Sequence, residues 1–286
     1  MISDVVSVAV GFLAGLIGTI IGAGGGFLMV PYLLLAKHFT PQAAVGTSMA
    51  VVFFNALSGS YAYAKQKRID YPTAWRFALA TIPGSILGAY TAQWFSGPAF
   101  RKFFGIFIIL VAIYIFYRSL NINTAATSEG VSPQNASSQK GSSQAGSSQK
   151  GSANYKTFTD AFGNTYSISY DLKWGIVSSF GVGYLASILG IGGGLIHVPL
   201  MIYLLGFPAH LATATSHLIL TISSFFAGIS HLYVGDVNLR MAAFLAIGAI
   251  IGAQGGARLA KKIKGPLIIR ALALVLLLLS ARLLIG

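Results

Sequence analysis

Two short segments carry the residues whose types and spacing are best suited to chemistry. Gly22-Ala23-Gly24-Gly25-Gly26 and Gly190-Ile191-Gly192-Gly193-Gly194 each interrupt a long apolar run, and each is followed by a proline, Pro31 or Pro199. A glycine in a continuous helix costs about 1 kcal/mol relative to alanine, so three in a row predict a break. A broken helix frees backbone N–H groups and exposes the positive dipole end of the next half-helix, which suits an anion. In lipid, such unwound backbone persists only where it is buried in protein or lines a cavity. The alternative is that the glycines only permit close helix packing. Their recurrence at matched positions, each with its proline, favours the broken-helix site.

Hydroxyl pairs follow each break. Thr47-Ser48 and Thr215-Ser216 lie near the start of the next apolar block, where they could complete a cage around an oxyanion without fixed charge. They could also simply bond a carbonyl of the preceding turn. His197 and His217 stand where the first half has Met29 and Met49. A polar group at that depth is a functional candidate, for an anion or for a proton, although a neighbouring carbonyl can satisfy a lone imidazole. The two histidines have no metal-ligand spacing, and the chain has no cysteine, which excludes thiol chemistry and Cys-based metal sites. Asn55 is a weaker candidate, His210 and His231 read as interfacial, and Arg258 reads as snorkelling beside Lys261. The six carboxylates, Asp4, Asp70, Glu129, Asp160, Asp171 and Asp236, all fall outside the apolar cores, so no Asp/Glu proton relay is expected. No cofactor is implied.

The elements that position these groups must be membrane helices. Of 286 residues, 55% are apolar and 9% charged, and the mean hydropathy is +0.74, too apolar for a soluble surface. Apolar blocks run through 5–36, 43–64, 73–95, 103–118, 172–205, 209–234, 241–260 and 267–285; most are near the roughly 20 residues a spanning helix needs, and the two that hold the glycine runs, 5–36 and 172–205, are longer. The start, Met1-Ile2-Ser3-Asp4, lacks a basic n-region, so the first block is expected to stay in the mature protein. The net charge of +13 sits mostly in short clusters between blocks, the pattern of membrane loops, not of a nucleic-acid surface.

Shifting the chain by 168 residues superposes Gly22 on Gly190, Gly24–Gly26 on Gly192–Gly194, Val30-Pro31 on Val198-Pro199 and Thr47-Ser48 on Thr215-Ser216. Residues 1–118 and 172–286 therefore read as two copies of one transmembrane repeat, joined by a flexible Gly/Ser/Gln-rich linker over 119–171. Within that linker, 155–170 suggests a small hairpin around Gly163-Asn164. The basic clusters Lys65–Arg68 and Lys261–Lys264 follow different blocks of their halves. If both are cytoplasmic, the repeats are inverted and each half makes an odd number of crossings, with the broken first block supplying a half-helix or re-entrant passage. Arg101 and Lys102 would then fall outside.

The runs GAGGGFLMVPYLLL with AAVGTS, and GIGGGLIHVPLMIYLLG with LATATS, resemble the sulfite exporter TauE/SafE (TSUP) family of membrane transporters. The resemblance covers both halves but not the linker, which is longer and richer in Ser and Gln than the family's short connection. It implies an integral plasma-membrane permease for small sulfur-containing anions such as sulfite, sulfonates or thiosulfate, moving in either direction. The family's motif falls on Gly24, Gly25, Gly26, Pro31, Thr47 and Ser48, and on Gly192, Gly193, Gly194, Pro199, Thr215 and Ser216. Any mechanism that passes thiosulfate through a thiol is ruled out by the lack of cysteine. The expectation is thus an all-α polytopic membrane protein with inverted repeats, about eight to ten membrane segments and glycine-broken half-helices. It is a transporter of a small anion in a lipid bilayer and not an enzyme, with a passive anion channel as the alternative. An enzyme would need a nucleophile–base set, a metal cluster or a phosphate loop in strand–turn–helix context, and none of these is present.

Overall fold

A computed structural model describes residues 2–95, 97–125, 153–159 and 165–263, together with 274 and 277. The eighth apolar block, 267–285, lies almost wholly outside the described residues. The first block is split by its glycines into α1 (Ile2–Ile21) and α2 (Gly26–Leu35). These run antiparallel. Gly25 packs against the carbonyl of Ala14, Leu28 and Pro31 line a groove with Val10, Leu13 and Ala14, and Tyr32 Oη meets Ser7 Oγ at 2.8 Å. The chain therefore enters, turns at the glycines and returns. The fifth block does the same through α6 (Leu172–Leu189) and α7 (Gly194–Tyr203), with Gly193 packed against Val182 and Ala186.

Long helices surround the two hairpins. α3 (Pro41–Lys65) starts on Thr40, whose hydroxyl caps the N–H of Ala43 at 3.3 Å, with proline at the first helical position. α4 (Tyr71–Thr91) leads through a 3-10 turn at Ala92–Trp94 into α5 (Gly97–Ala125). α8 (Ala209–Val234) stops at Gly235, which takes φ 89°, and α9 (Leu239–Ala260) is capped by the Asn238 side chain accepting from Met241 N at 3.0 Å. Strands β1 (Ala153–Thr159) and β2 (Thr165–Asp171) pair antiparallel, Ala153 opposite Asp171 and Thr159 opposite Thr165. Regular structure thus enters the expected linker from both ends: α5 passes residue 118, and β1 pairs with β2 within 153–171, while the expected turn at Gly163-Asn164 lies outside the described residues.

Among the described residues, α1, α3, α6, α8 and α9 are each long and apolar enough to cross a membrane, so this is a polytopic membrane protein. Small residues let the helices approach closely. Gly11 faces Leu245, Gly15 faces Ala249 and Gly256 faces Leu16, so α1 runs parallel to α9. Gly175 faces Phe77, Gly84 faces Phe180 and Gly88 faces Tyr184, so α4 runs parallel to α6. α3 and α8 cross antiparallel at the centre, with Gly228 beside Ala50, the Phe53 and Phe225 rings 5.3 Å apart, and Gly59 against His217. Gln66 Nε2 donates to the Ala257 carbonyl at 3.0 Å, which brings the loop after α3 and the loop after α9 to one end of the bundle. Lys65 ends α3 and Lys261 follows α9, so both basic clusters start at that end.

Candidate functional site

The two hairpin tips meet beside the midpoints of α3 and α8. Gly26 of the first tip lies against Gly190 and Ile191 of the second, where a Cβ would sit 2.5 Å from the Gly190 carbonyl oxygen. Gly194 of the second lies against Gly22 and Ala23 of the first, and a Cβ there would collide with the Gly22 carbonyl. Gly24 (φ 77°) and Gly192 (φ 65°) hold left-handed backbone that a side chain would strain, and both press on the same two residues, Val52 of α3 and Leu220 of α8. With Ala56, these two form a small buried apolar cluster between the tips.

The turns use up some backbone donors and leave others free. Gly22, Ala23 and Gly24 all donate to the Gly18 carbonyl, and Ile191 donates to the Ala186 carbonyl. Among the described residues, the N–H groups of Gly25, Gly26 and Phe27 find no acceptor, nor do those of Gly192, Gly193, Gly194 and Leu195. These are the orphan donors expected at the first turn of a helix, here on α2 and α7. Pro31 and Pro199, both buried, lack the N–H that would bond the carbonyls of Phe27 and Leu195, so each short helix forgoes one intrahelical hydrogen bond near its start.

The hydroxyl pairs latch the tips crosswise. Ser48 Oγ donates to the Gly190 carbonyl at 2.7 Å, and Ser216 Oγ donates to the Gly22 carbonyl at 3.1 Å. Thr47 Oγ1 accepts from Asn238 N at 3.0 Å, and Thr215 Oγ1 accepts from Asp70 N at 3.1 Å, so each threonine caps the start of a helix in the opposite half of the chain. All four are buried, and their partners are distant backbone groups, not the carbonyls of their own previous turn. Asn55 has a firmer place than its sequence context suggests. Its Nδ2 donates to the Gly24 carbonyl at 2.9 Å, and its Oδ1 faces Thr19 Oγ1 at 3.4 Å.

The two candidate histidines sit one layer behind the tips and apart from each other. His217 Nε2 lies 3.3 Å from Thr19 Oγ1, with the Tyr63 ring edge-on at 5.4 Å, and Tyr63 donates to the Thr19 carbonyl at 2.7 Å. His197 is held inside the second hairpin, with Nε2 3.1 Å from Ser179 Oγ. Both are buried, and each has a hydroxyl partner. Among the described residues no group of three potential metal ligands occurs.

His231 lies in the last turn of α8, at the end of a spanning helix, and is shielded there by protein. It is fully buried, because the loop after α8 folds Asp236 back onto the imidazole. Asp70 is buried as well, at the start of α4, where its Oδ2 accepts from Thr73 Oγ1 at 2.5 Å. Asp70 occupies the N-cap position of α4, but its side chain bonds the Thr73 hydroxyl and makes no capping bond to a backbone N–H.

The family profile described as "Sulfite exporter TauE/SafE" matches residues 7–283. The chain is 35% identical over 288 residues to "Probable membrane transporter protein YunE" of Bacillus subtilis, covering 98% of this chain and 97% of that one. It is 25% identical over 271 residues to a "Probable membrane transporter protein" of Methanocaldococcus jannaschii, covering 90% and 86%. A segment of 85 residues is 38% identical to "Sulfite exporter TauE/SafE family protein 5" of Arabidopsis thaliana, covering 30% of this chain and 19% of that one. No solved structure matches. A bundle built around two buried glycine turns, with a match that runs through both of them and nearly end to end, is a membrane transporter and not an enzyme: the chain belongs to the sulfite exporter TauE/SafE family.

Proposed function

We propose that this transporter carries a small sulfur-containing oxyanion, such as sulfite, a sulfonate or thiosulfate, between the two hairpin tips. The observation that carries the reading is the set of unpaired N–H groups at the starts of α2 and α7, held against each other deep in an apolar bundle. Two helix starts facing one volume offer converging donors and dipoles to an anion and demand no buried cation. In this reading Gly24–Gly26 and Gly192–Gly194 bind through backbone, and Thr47 and Thr215 supply hydroxyl donors. Ser48 and Ser216 exchange their carbonyl partners for the anion as it passes. Pro31 and Pro199 keep the turns mobile, and His197 and His217 form a second layer.

The reading extends to architecture. Residues 1–118 and 172–286 act as inverted repeats. The crosswise pairing of positions 168 apart supports this, as does the antiparallel course of α3 and α8. Rocking of one hairpin against the other around Val52 and Leu220 would open the tips to one side at a time.

Uptake of labelled sulfite, thiosulfate, sulfate and a small sulfonate into proteoliposomes tests the proposal. Saturable uptake of one sulfur anion is the expected result. A conductance that does not saturate would replace the carrier with a passive anion channel, and no flux of any of the four would discard the substrate class.

A further inference from the structure

The loop end of α8 holds a titratable pair that the transport reading leaves unused. His231 Nδ1 lies 3.4 Å from Asp236 Oδ2, and its Nε2 lies 3.4 Å from the carbonyl oxygen of Ser187, in the helix that leads into the second glycine turn. The imidazole is fully buried while the Asp236 side chain is 12% exposed, so the pair joins the surface to the hairpin. The Gln93 amide donates to the same Asp236 oxygen. Among the described residues neither group has another ionic partner: Gly46 of α3 packs against Asp236, and Arg240 of α9 is turned to Asp4 at 3.5 Å.

Both ring nitrogens therefore face acceptors. A neutral imidazole has one N–H and can serve only one of them. An added proton, on the ring or shared with the carboxylate, satisfies both at once. Without it, a nitrogen lone pair points either at Asp236 or at the Ser187 carbonyl. The first hairpin supplies the comparison. At the positions 168 earlier, Tyr63 stands for His231 and Thr19 for Ser187, and the phenol donates to the Thr19 carbonyl at 2.7 Å. A phenol keeps its proton at neutral pH, whereas an imidazole exchanges one there. One hairpin is latched by a phenol and the other by an imidazole.

We propose that His231 and Asp236 form the proton-binding site that couples a proton to substrate movement, filled through Asp236 from the bundle end opposite the basic loops. That end follows from Asp236 packing beside Gly46 at the start of α3, whereas Lys65–Arg68 lie at its finish. Proton binding holds Ser187 and with it the second hairpin, and proton loss frees them. The inference rests on the transport reading above.

The test uses the full chain in proteoliposomes, with labelled sulfite, in two modes: accumulation driven by an imposed pH gradient, and counterflow at equal pH. His231→Gln keeps an amide donor for Ser187 but cannot titrate, and Asp236→Asn removes the carboxylate. Both are expected to lose gradient-driven accumulation by about tenfold while counterflow persists. Unchanged accumulation in both variants overturns the proposal, as does equal loss of both modes in both, which assigns the pair to packing. Absence of sulfite counterflow in the unsubstituted protein strikes the substrate reading alone. In that case, dye-reported proton uptake by detergent-solubilised protein after a downward pH step decides the site. The unsubstituted chain is expected to bind one proton more than His231→Gln, and equal uptake overturns the assignment.

Discussion

Ser48 donates its hydroxyl proton to the carbonyl oxygen of Gly190 at 2.7 Å, tying the first turns of α3 to the tip of the second hairpin. Ser216 makes the reciprocal bond to Gly22 at 3.1 Å. Removing either hydroxyl strands a buried carbonyl, which costs about 1–3 kcal/mol. Ser48→Ala and Ser216→Ala should each lower the midpoint of thermal unfolding in detergent. A midpoint unchanged in both would mean that the latches hold nothing.

Thr47 and Thr215 accept backbone N–H groups of Asn238 and Asp70, so the need is for an oxygen, not for shape. Valine matches threonine in shape but orphans the N–H, at a cost of about 1–3 kcal/mol. Serine keeps the bond. Stability measured by denaturant or heat should follow Thr > Ser > Val at both positions, and equal stability of the valine variants would show the bonds to be dispensable.

The tip glycines differ in how much they tolerate. At Gly26 and Gly194 a Cβ meets a carbonyl of the opposite tip, whereas Gly193 has φ −55° and its nearest neighbour is a histidine side-chain atom at 3.2 Å. Gly26→Ala and Gly194→Ala should abolish transport by forcing the tips apart, while Gly193→Ala should retain it. Leucine at Gly25 is expected to be inactive, since that residue holds φ 80° and packs on the Ala14 carbonyl. Uptake measurements on purified, correctly inserted protein rank the four. Full activity in Gly26→Ala would break the close-contact account.

Val52 and Leu220 close the space between the tips. Truncating Leu220 to alanine removes a buried side chain at about 2–5 kcal/mol, and Val52→Ala should cost less. Both are expected to raise passive anion leak through liposomes at the expense of selectivity. Leak equal to that of the unsubstituted chain would move the gate elsewhere.

The absence of native cysteine makes orientation simple to measure. Single cysteines at the exposed positions Lys67 and Lys262 should react with an impermeant maleimide from one face of the membrane, and a cysteine at exposed Tyr233 from the other. Labelling of all three from the same side would contradict the antiparallel course of α3 and α8.

Much of this was determined by sequence alone, because the relevant physics is local. Apolar runs of spanning length demand lipid or a protein interior. Clustered glycines and a following proline demand a break, and the split of 5–36 into α1 and α2, and of 172–205 into α6 and α7, falls where those residues stand. Thr40-Pro41 starts a helix and Gly235 ends one for similarly short-range reasons. What only the tertiary structure decided is who meets whom. Ser48 and Gly190 are 142 residues apart, and Ser216 and Gly22 are 194. No local propensity encodes that a serine will hold the other half's turn instead of a carbonyl in its own helix. The same holds for His231: the residues that follow it, Leu232 and Tyr233, are exposed, and its burial comes from Asp236 folding back and from Ser187 arriving on a distant helix. In an apolar bundle nearly every helix face is compatible with burial, so hydropathy fixes which segments cross and leaves their neighbours to the few polar groups that must find partners.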